Sequence, residues 1–354
     1  MAPSEANRNA GGTAGANRVP VTVLTGFLGA GKTTVLNRLL KQPGMSGAAV
    51  IINEFGEVGI DHLLVEKILG DAVLLESGCL CCSVRGDLVD TMNVLRLQAA
   101  AGDIPVFDRL LVETTGLADP APVLQTVMSE PMLTDHYRMH GLVTAVDAVN
   151  GGGQIDDHPE AMKQVALASR LLVTKPDLAA PAQLAALEDR LRAINPAAPL
   201  HRVTDGDIAA DALFGDGDYD PDEIGGAAHW LADAHGHDHP HSHDDHIHAD
   251  GIASFCLTRD EPLPWAALST WLDSITSLRG ADLLRVKGIV DVEGIAAPVV
   301  VHGVQHVFHP PRTLAEWPGG RRETRIVCIG RGLAARDVSN ALDAAAGKLP
   351  NSNQ

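Results

Sequence analysis

The chain has 354 residues, 45% hydrophobic and 20% charged, a length that suggests roughly two domains, each able to bury its own core. Its 27 basic and 45 acidic residues leave a formal charge of -18 with no basic run, which argues against nucleic acid or an anionic membrane as partner, and no apolar run reaches the roughly 18 residues of a membrane span. Five cysteines in a chain this long are not a disulfide scaffold, and the crowding of Cys79, Cys81 and Cys82 fits a metal or redox site in a reducing cytoplasm.

Residues 1–18 are rich in Ala, Gly, Asn and Ser, lack the apolar stretch of a signal peptide, and are expected to form a disordered tail. The β-branched run 19–25 reads as a buried strand. It leads into Gly26-Phe27-Leu28-Gly29-Ala30-Gly31-Lys32-Thr33-Thr34, and residues 35–40 follow with helical spacing. Strand, G-x-x-x-x-G-K-T and helix in that order make a phosphate-binding loop. Its glycines let backbone N–H groups face a polyphosphate, and the helix turns the positive end of its dipole to the same oxygens. Lys32 is placed to meet the β and γ phosphates and Thr33 to hold Mg²⁺.

Residues 48–52 are a second apolar run, ending at Asn53-Glu54-Phe55-Gly56, and a loop rich in glycine and acid extends to Gly70. Residues 72–76 read as a short strand before Ser77-Gly78-Cys79-Leu80-Cys81-Cys82. Residues 84–101 place Leu88, Met92, Leu95 and Ala99 on one helical face. Strands are expected at 109–113, 141–146 and 170–174, with helices at 122–128, 160–168 and 181–194 between and after them. Alternation of this kind predicts an α/β fold, a mostly parallel, doubly wound sheet covered on both sides, with ligands at the carboxyl ends of its strands. The pattern breaks after Leu213, where an acidic, glycine-rich linker at 215–226 precedes a segment with His235, His237, His239, His241, His243, His246 and His248. Imidazoles and acids at that density cannot pack as a core, so a solvated loop is expected. From Ile252 a smaller α+β unit follows, with strands at 254–257, 284–292, 299–305 and 325–329 and helices at 264–274 and 334–345. The expected division is therefore a tail at 1–18, a nucleotide-binding domain at 19–213, a linker and histidine loop at 214–251, a C-terminal domain at 252–348 and a tail at 349–354.

Glu113 ends a strand downstream of the phosphate loop and precedes Thr114-Thr115-Gly116. Its carboxylate can reach the Mg²⁺ shell or orient a water, and the Gly116 N–H can meet a terminal phosphate. Thr174-Lys175-Pro176-Asp177 follows the strand expected beneath the base, where the Asp177 carboxylate can accept two N–H groups of guanine, which favours GTP over ATP. Three thiols as close as Cys79, Cys81 and Cys82 can hold one soft or borderline ion, Zn²⁺ by default, and leave a position open for transfer. Glu54, in the preceding loop, is a candidate to complete that shell. The histidine loop supplies weak imidazole and carboxylate sites suited to delivery or buffering. Cys256 and Cys328, single in apolar strands, are expected to be buried.

GFLGAGKTT, the NEFGEVGID loop, ESGCLCC, ETTGLADP, the stretch from Gln164 to Lys175, the histidine insert and the C-terminal Arg285-Val286-Lys287-Gly288 together resemble the CobW family of P-loop GTPases. The resemblance implies a GTPase using GTP and Mg²⁺ that carries Zn²⁺, or Co²⁺ or Ni²⁺, at the cysteines and delivers it to a client metalloprotein, and it leaves a homodimer open. It equally covers cobalamin-biosynthesis and nitrile-hydratase-type metal insertion, with cobalt or iron as cargo, while a metal buffer acting through the histidine loop is a reading from another class. Thr174 stands where the family usually has Asn, which bears on guanine selectivity, and Ser169 where Asp is common, which bears on local packing.

Overall fold

A computed structural model describes residues 18–52, 73–76, 84–214, 251–280 and 282–348. The loop at 53–72 with Glu54, the segment with Cys79, Cys81 and Cys82, the linker and histidine loop at 215–250, and both expected tails except Arg18 lie outside the described residues. Seven parallel strands form the first sheet: β1 (Val19–Gly26), β2 (Ala48–Ile52), β3 (Val73–Glu76), β4 (Arg109–Glu113), β5 (Tyr137–Asp147), β6 (Arg170–Thr174) and β7 (Leu200–Val203). Their spatial order is β3-β2-β4-β1-β5-β6-β7. The chain fills one side of β1 and then the other, so the direction of winding reverses at β1, where ligands of such sheets bind. All five residues of β2 are buried, as a strand covered on both faces requires.

Helices α1 (Lys32–Leu39), α2 (Val84–Ala101), α3 (Ala121–Ser129), α4 (Pro131–Thr134), α5 (Gly151–Asp157), α6 (Pro159–Leu167), α7 (Pro181–Ile194) and α8 (Ala210–Phe214) flank this sheet. One core cluster joins Met92, Leu95, Leu124, Leu142, Val165 and Leu191 to one face. A second, with Leu36, Leu39, Val50, Leu111 and Val203, lies under α1.

The second sheet is antiparallel, ordered β11-β10-β9-β13-β8 with β12 on β10. It comprises β8 (Ile252–Arg259), β9 (Leu283–Val290), β10 (Val299–Val304), β11 (Val307–Phe308), β12 (Arg312–Thr313) and β13 (Thr324–Arg331). Helices α9 (Trp265–Arg279) and α10 (Ala335–Ala345) cover one face, where the buried Trp271 donates its indole N–H to Val338 O at 3.1 Å. The opposite face contributes Leu284, Ile289, Val304, Val327 and Ile329 to the same cluster as α6 and α7, so the two sheets share a hydrophobic joint. Gln125 of α3 donates to the side chain of Gln305 across it at 2.6 Å.

Three differences from the sequence reading have physical causes. Strand β5 starts at Tyr137 rather than 141, because the polar Arg138 and His140 mask its first turn of alternation. Strand β7, Leu-His-Arg-Val, is an edge strand with only Val203 fully buried, so it carries little apolar signal. Cys328 is buried as expected, but Cys256 is exposed: β8 is an edge strand, and its alternation turns Leu257 inward instead.

Candidate nucleotide-binding site

β1 delivers the chain to the carboxyl edge of the sheet, and α1 begins at Lys32 with Gly31 as its N-cap. Gly26, Gly29 and Gly31 have φ of 144°, 75° and 85°, a region that glycine enters without steric penalty, and this lets the loop turn its N–H groups toward a bound anion. No acidic side chain occupies the first turn of α1, so the positive end of its dipole is left for a ligand. Lys32 Nζ donates to Gly26 O at 3.0 Å and Phe27 O at 3.4 Å, which lays the ammonium along the loop. Phe27 itself is a core residue, stacked on His158 with ring centroids 4.4 Å apart, while Leu28 is exposed.

Glu113 ends β4 beside Leu24 of β1, and its side chain is 5% exposed. Thr33 Oγ1 donates to Glu113 Oε1 at 2.9 Å. Thr114 Oγ1 donates to Thr25 Oγ1 at 2.7 Å, tying the next residue to the end of β1. Gly116 then presses on the phosphate loop: a Cβ there would stand 2.7 Å from Leu28 N and 2.9 Å from Leu28 Cα. Gln164 of α6 donates to Gly116 O at 3.2 Å and Ala118 O at 2.9 Å, and Lys163 pairs with Asp119 at 2.6 Å.

The third wall is the turn after β6. Thr174 Oγ1 lies 2.8 Å from Ala30 O and 3.2 Å from Val146 O, so the hydroxyl braces the phosphate loop. Lys175, at φ 54°, reaches Gly29 O at 2.7 Å and Asp147 Oδ2 at 2.6 Å. Burial works to raise the Asp147 pKa, but the Lys175 ammonium and the N–H groups of Val149 and Asn150 outweigh it and hold the carboxyl below its ordinary value. Asp177 sits exposed on the rim in the short turn Pro176–Leu178. The Ser169 hydroxyl accepts from Leu142 N and donates to Leu142 O, both at 2.9 Å, a local packing contact.

Lys32, Thr33, Glu113, Gly116, Thr174 and Lys175 thus converge on the loop Gly26–Gly31, while Thr34 follows on α1 with an exposed side chain. Thr33 and Glu113 offer a hydroxyl and a carboxylate to one point, hard oxygen donors of the kind Mg²⁺ takes together with phosphate oxygens and water. Sequence reasoning assigned no role to Asp147, Gln164 or Gly206. Gly206, in the turn after β7, abuts α1, where a Cβ would meet Thr34 O at 2.6 Å. An acid at a strand's carboxyl end was the available signal for Asp147; for the other two the signal is spatial. Among the described residues no three His, Cys, Asp or Glu side chains form a metal site.

A glycine loop at the winding reversal of a parallel sheet, joined by lysine, threonine and a strand-terminal glutamate, defines a P-loop nucleotide-binding protein. The CobW/HypB/UreG nucleotide-binding domain matches residues 20–202, and the cobalamin synthesis protein cobW C-terminal domain matches residues 252–346. The chain belongs to the CobW family. It is 34% identical over 333 residues to the zinc chaperone YjiA of Escherichia coli, covering 92% of this chain and 98% of that one. To the zinc chaperone CobW of a Sinorhizobium species it is 29% identical over 349 residues, covering 90% and 95%. The crystal structure of the Zn(II)-bound YjiA GTPase superimposes with a TM-score of 0.69 at 29% identity, covering 93% of this chain and 99% of that one. No helix among the described residues is long and apolar enough to cross a membrane.

Proposed function

We propose that this protein is a GTP-hydrolysing metallochaperone that carries a transition metal, zinc foremost, on Cys79, Cys81 and Cys82 and passes it to a client protein. One observation carries the reading. Ile52 of β2 is in register with Glu113 on one side and with Glu76 on the other. Glu76, three residues before Cys79, therefore stands two strands from Glu113, about 10 Å at ordinary strand spacing. The three cysteines follow Glu76 by three, five and six residues in the sequence, and segments that follow such strand ends are the ones that γ-phosphate and its loss rearrange. The names of the two relatives, both zinc chaperones, support the choice of cargo.

In this reading the loop N–H groups and Lys32 bind the β and γ phosphates, and the Gly116 N–H meets the γ-phosphate. Thr33 and Glu113 would hold Mg²⁺, which would supply charge neutralisation at the phosphate oxygens. Asp177 reads guanine, and Lys175, fixed by Asp147, braces the loop beneath the sugar and phosphates. Zinc titration of protein loaded with a non-hydrolysable GTP analogue and with GDP tests the proposal. Coupling of about 1–3 kcal/mol makes the two affinities differ at least several-fold. Equal affinities overturn the chaperone mechanism and leave the GTPase. Cys81→Ala is expected to abolish the tight zinc site and spare nucleotide binding.

A further inference from the structure

Helix α6 touches both the loop Gly116–Asp119 beside the phosphate loop and the C-terminal sheet. At Gln164, 1% exposed, the side-chain amide donates to Gly116 O and Ala118 O, while the backbone carbonyl accepts the hydroxyl of Thr144 on β5. One residue earlier, Lys163 holds Asp119 of the same loop. Three residues later the helix ends, and its terminal carbonyls are held from two directions. Asn195, at the end of α7, donates Nδ2 to Val165 O, Ala166 O and Ala168 O at 2.9, 3.2 and 2.8 Å. Arg285, from β9 of the other sheet and 1% exposed, donates Nη1 to Leu167 O at 2.9 Å and also to Ala168 O. A guanidinium at a helix carboxyl end is favoured by the dipole as well as by the hydrogen bonds.

The consequence is mechanical. Gly116 has no side chain of its own with which to fix its place, and its backbone lies in contact with Leu28 of the phosphate loop. Its carbonyl is fixed instead by Gln164, and the helix bearing Gln164 is fixed by Arg285. We propose that Gln164 is the positioning residue that sets Gly116 for hydrolysis, and that the C-terminal domain acts on the nucleotide site through Arg285 and α6. This rests on the GTPase reading above and adds to it a route by which events at the C-terminal sheet, such as client docking, alter turnover.

The test uses the full chain and compares kcat and KM for GTP, affinities for GDP and for a non-hydrolysable GTP analogue, and Tm. Gln164→Leu removes both donors at nearly constant volume. Its kcat is expected to fall about tenfold or more, with GDP affinity held within about twofold, because GDP has no γ-phosphate for Gly116 to meet. Arg285→Gln is expected to lower kcat in the same direction by about threefold or more, and Arg285→Lys, which keeps a charged donor, to recover most of the loss. Should Gln164→Leu fail to fold, Gln164→Met, unbranched and without a donor, gives the same readout.

A kcat within about twofold of the wild type in a folded Gln164 variant overturns the proposal. So does a parallel loss of GDP affinity, analogue affinity and Tm, which marks a purely structural role. A fall in kcat for Gln164→Leu with none for Arg285→Gln overturns the interdomain part. A wild-type chain that does not hydrolyse GTP brings down the underlying reading, and this one with it.

Discussion

Thr33 and Glu113 lie 80 residues apart in the chain, and their side chains meet in a 2.9 Å hydrogen bond that joins the first turn of α1 to the end of β4. The contact places a carboxylate beside the hydroxyl expected to hold Mg²⁺. Glu113→Gln preserves an acceptor for Thr33 and removes the charge. Single-turnover GTP hydrolysis, followed across a Mg²⁺ titration, is expected to show a plateau rate lower by on the order of 100-fold and a higher half-saturating Mg²⁺. A plateau equal to that of the wild type would place the hydrolytic carboxylate elsewhere.

The Thr174 hydroxyl is engaged with Ala30 O and Asp177 is exposed, and the proposed reading gives selection of the base to Asp177. Hydrogen bonds to a charged group contribute about 1.5–3 kcal/mol, and Asp177→Asn is therefore expected to cut the preference for GTP over ATP by roughly 10–100-fold. Competition binding of the two nucleotides measures it. A preference untouched by the substitution would mean that the base is read by the backbone.

How much of this could be seen in the amino-acid order depends on the distance over which each feature is specified. The phosphate loop needs a strand, three glycines and a helix in immediate succession, all of which are local patterns. The same holds for Glu113 and Thr174, since an apolar run that stops at a polar residue marks a strand's carboxyl end. Asp147 and Lys175 pair because β5 and β6 are neighbours, and nothing in either segment announces the other. Gln164 and Arg285 are harder still. Their partners are backbone carbonyls, which have no residue identity, and the contacts exist only once α6 is docked between two sheets. The edge strands β7, β11 and β12 escaped for a different reason: half-solvated and short, they need little apolar residue content.

The Asp147 side chain is 2% exposed and holds the Lys175 ammonium at 2.6 Å. Its folded pKa is depressed, so its contribution is present above the unfolded carboxyl pKa of about 3.9 and is lost as pH falls through the folded value. Asp147→Asn keeps an acceptor for the N–H groups of Val149 and Asn150 and loses the charge partner. Denaturant unfolding at pH 7 is expected to find the variant about 1–3 kcal/mol less stable, with the gap to wild type narrowing at pH values below about 4. A gap that stayed constant into strong acid would show that the ion pair does not stabilise the fold.

His309 behaves in the opposite sense to an ion-paired histidine. Burial, with Arg18 and then Arg312 nearby, pushes its pKa down to about 4, and the His302 ring lies 5.5 Å away, centroid to centroid. The folded chain then refuses a proton that the unfolded chain accepts at about 6.5, so stability falls as pH drops from about 6.5 toward 4 and levels below that. The histidine contributes up to about 2 kcal/mol of that fall, with a partial discount for its incomplete burial. His309→Gln removes the titration while keeping a polar group that can donate and accept. Tm measured from pH 7 to 4 is expected to fall less steeply in the variant than in the wild type. Parallel slopes would mean that His309 takes up its proton in the folded state as readily as in the unfolded one, and that the two arginines do not raise the cost of charging it.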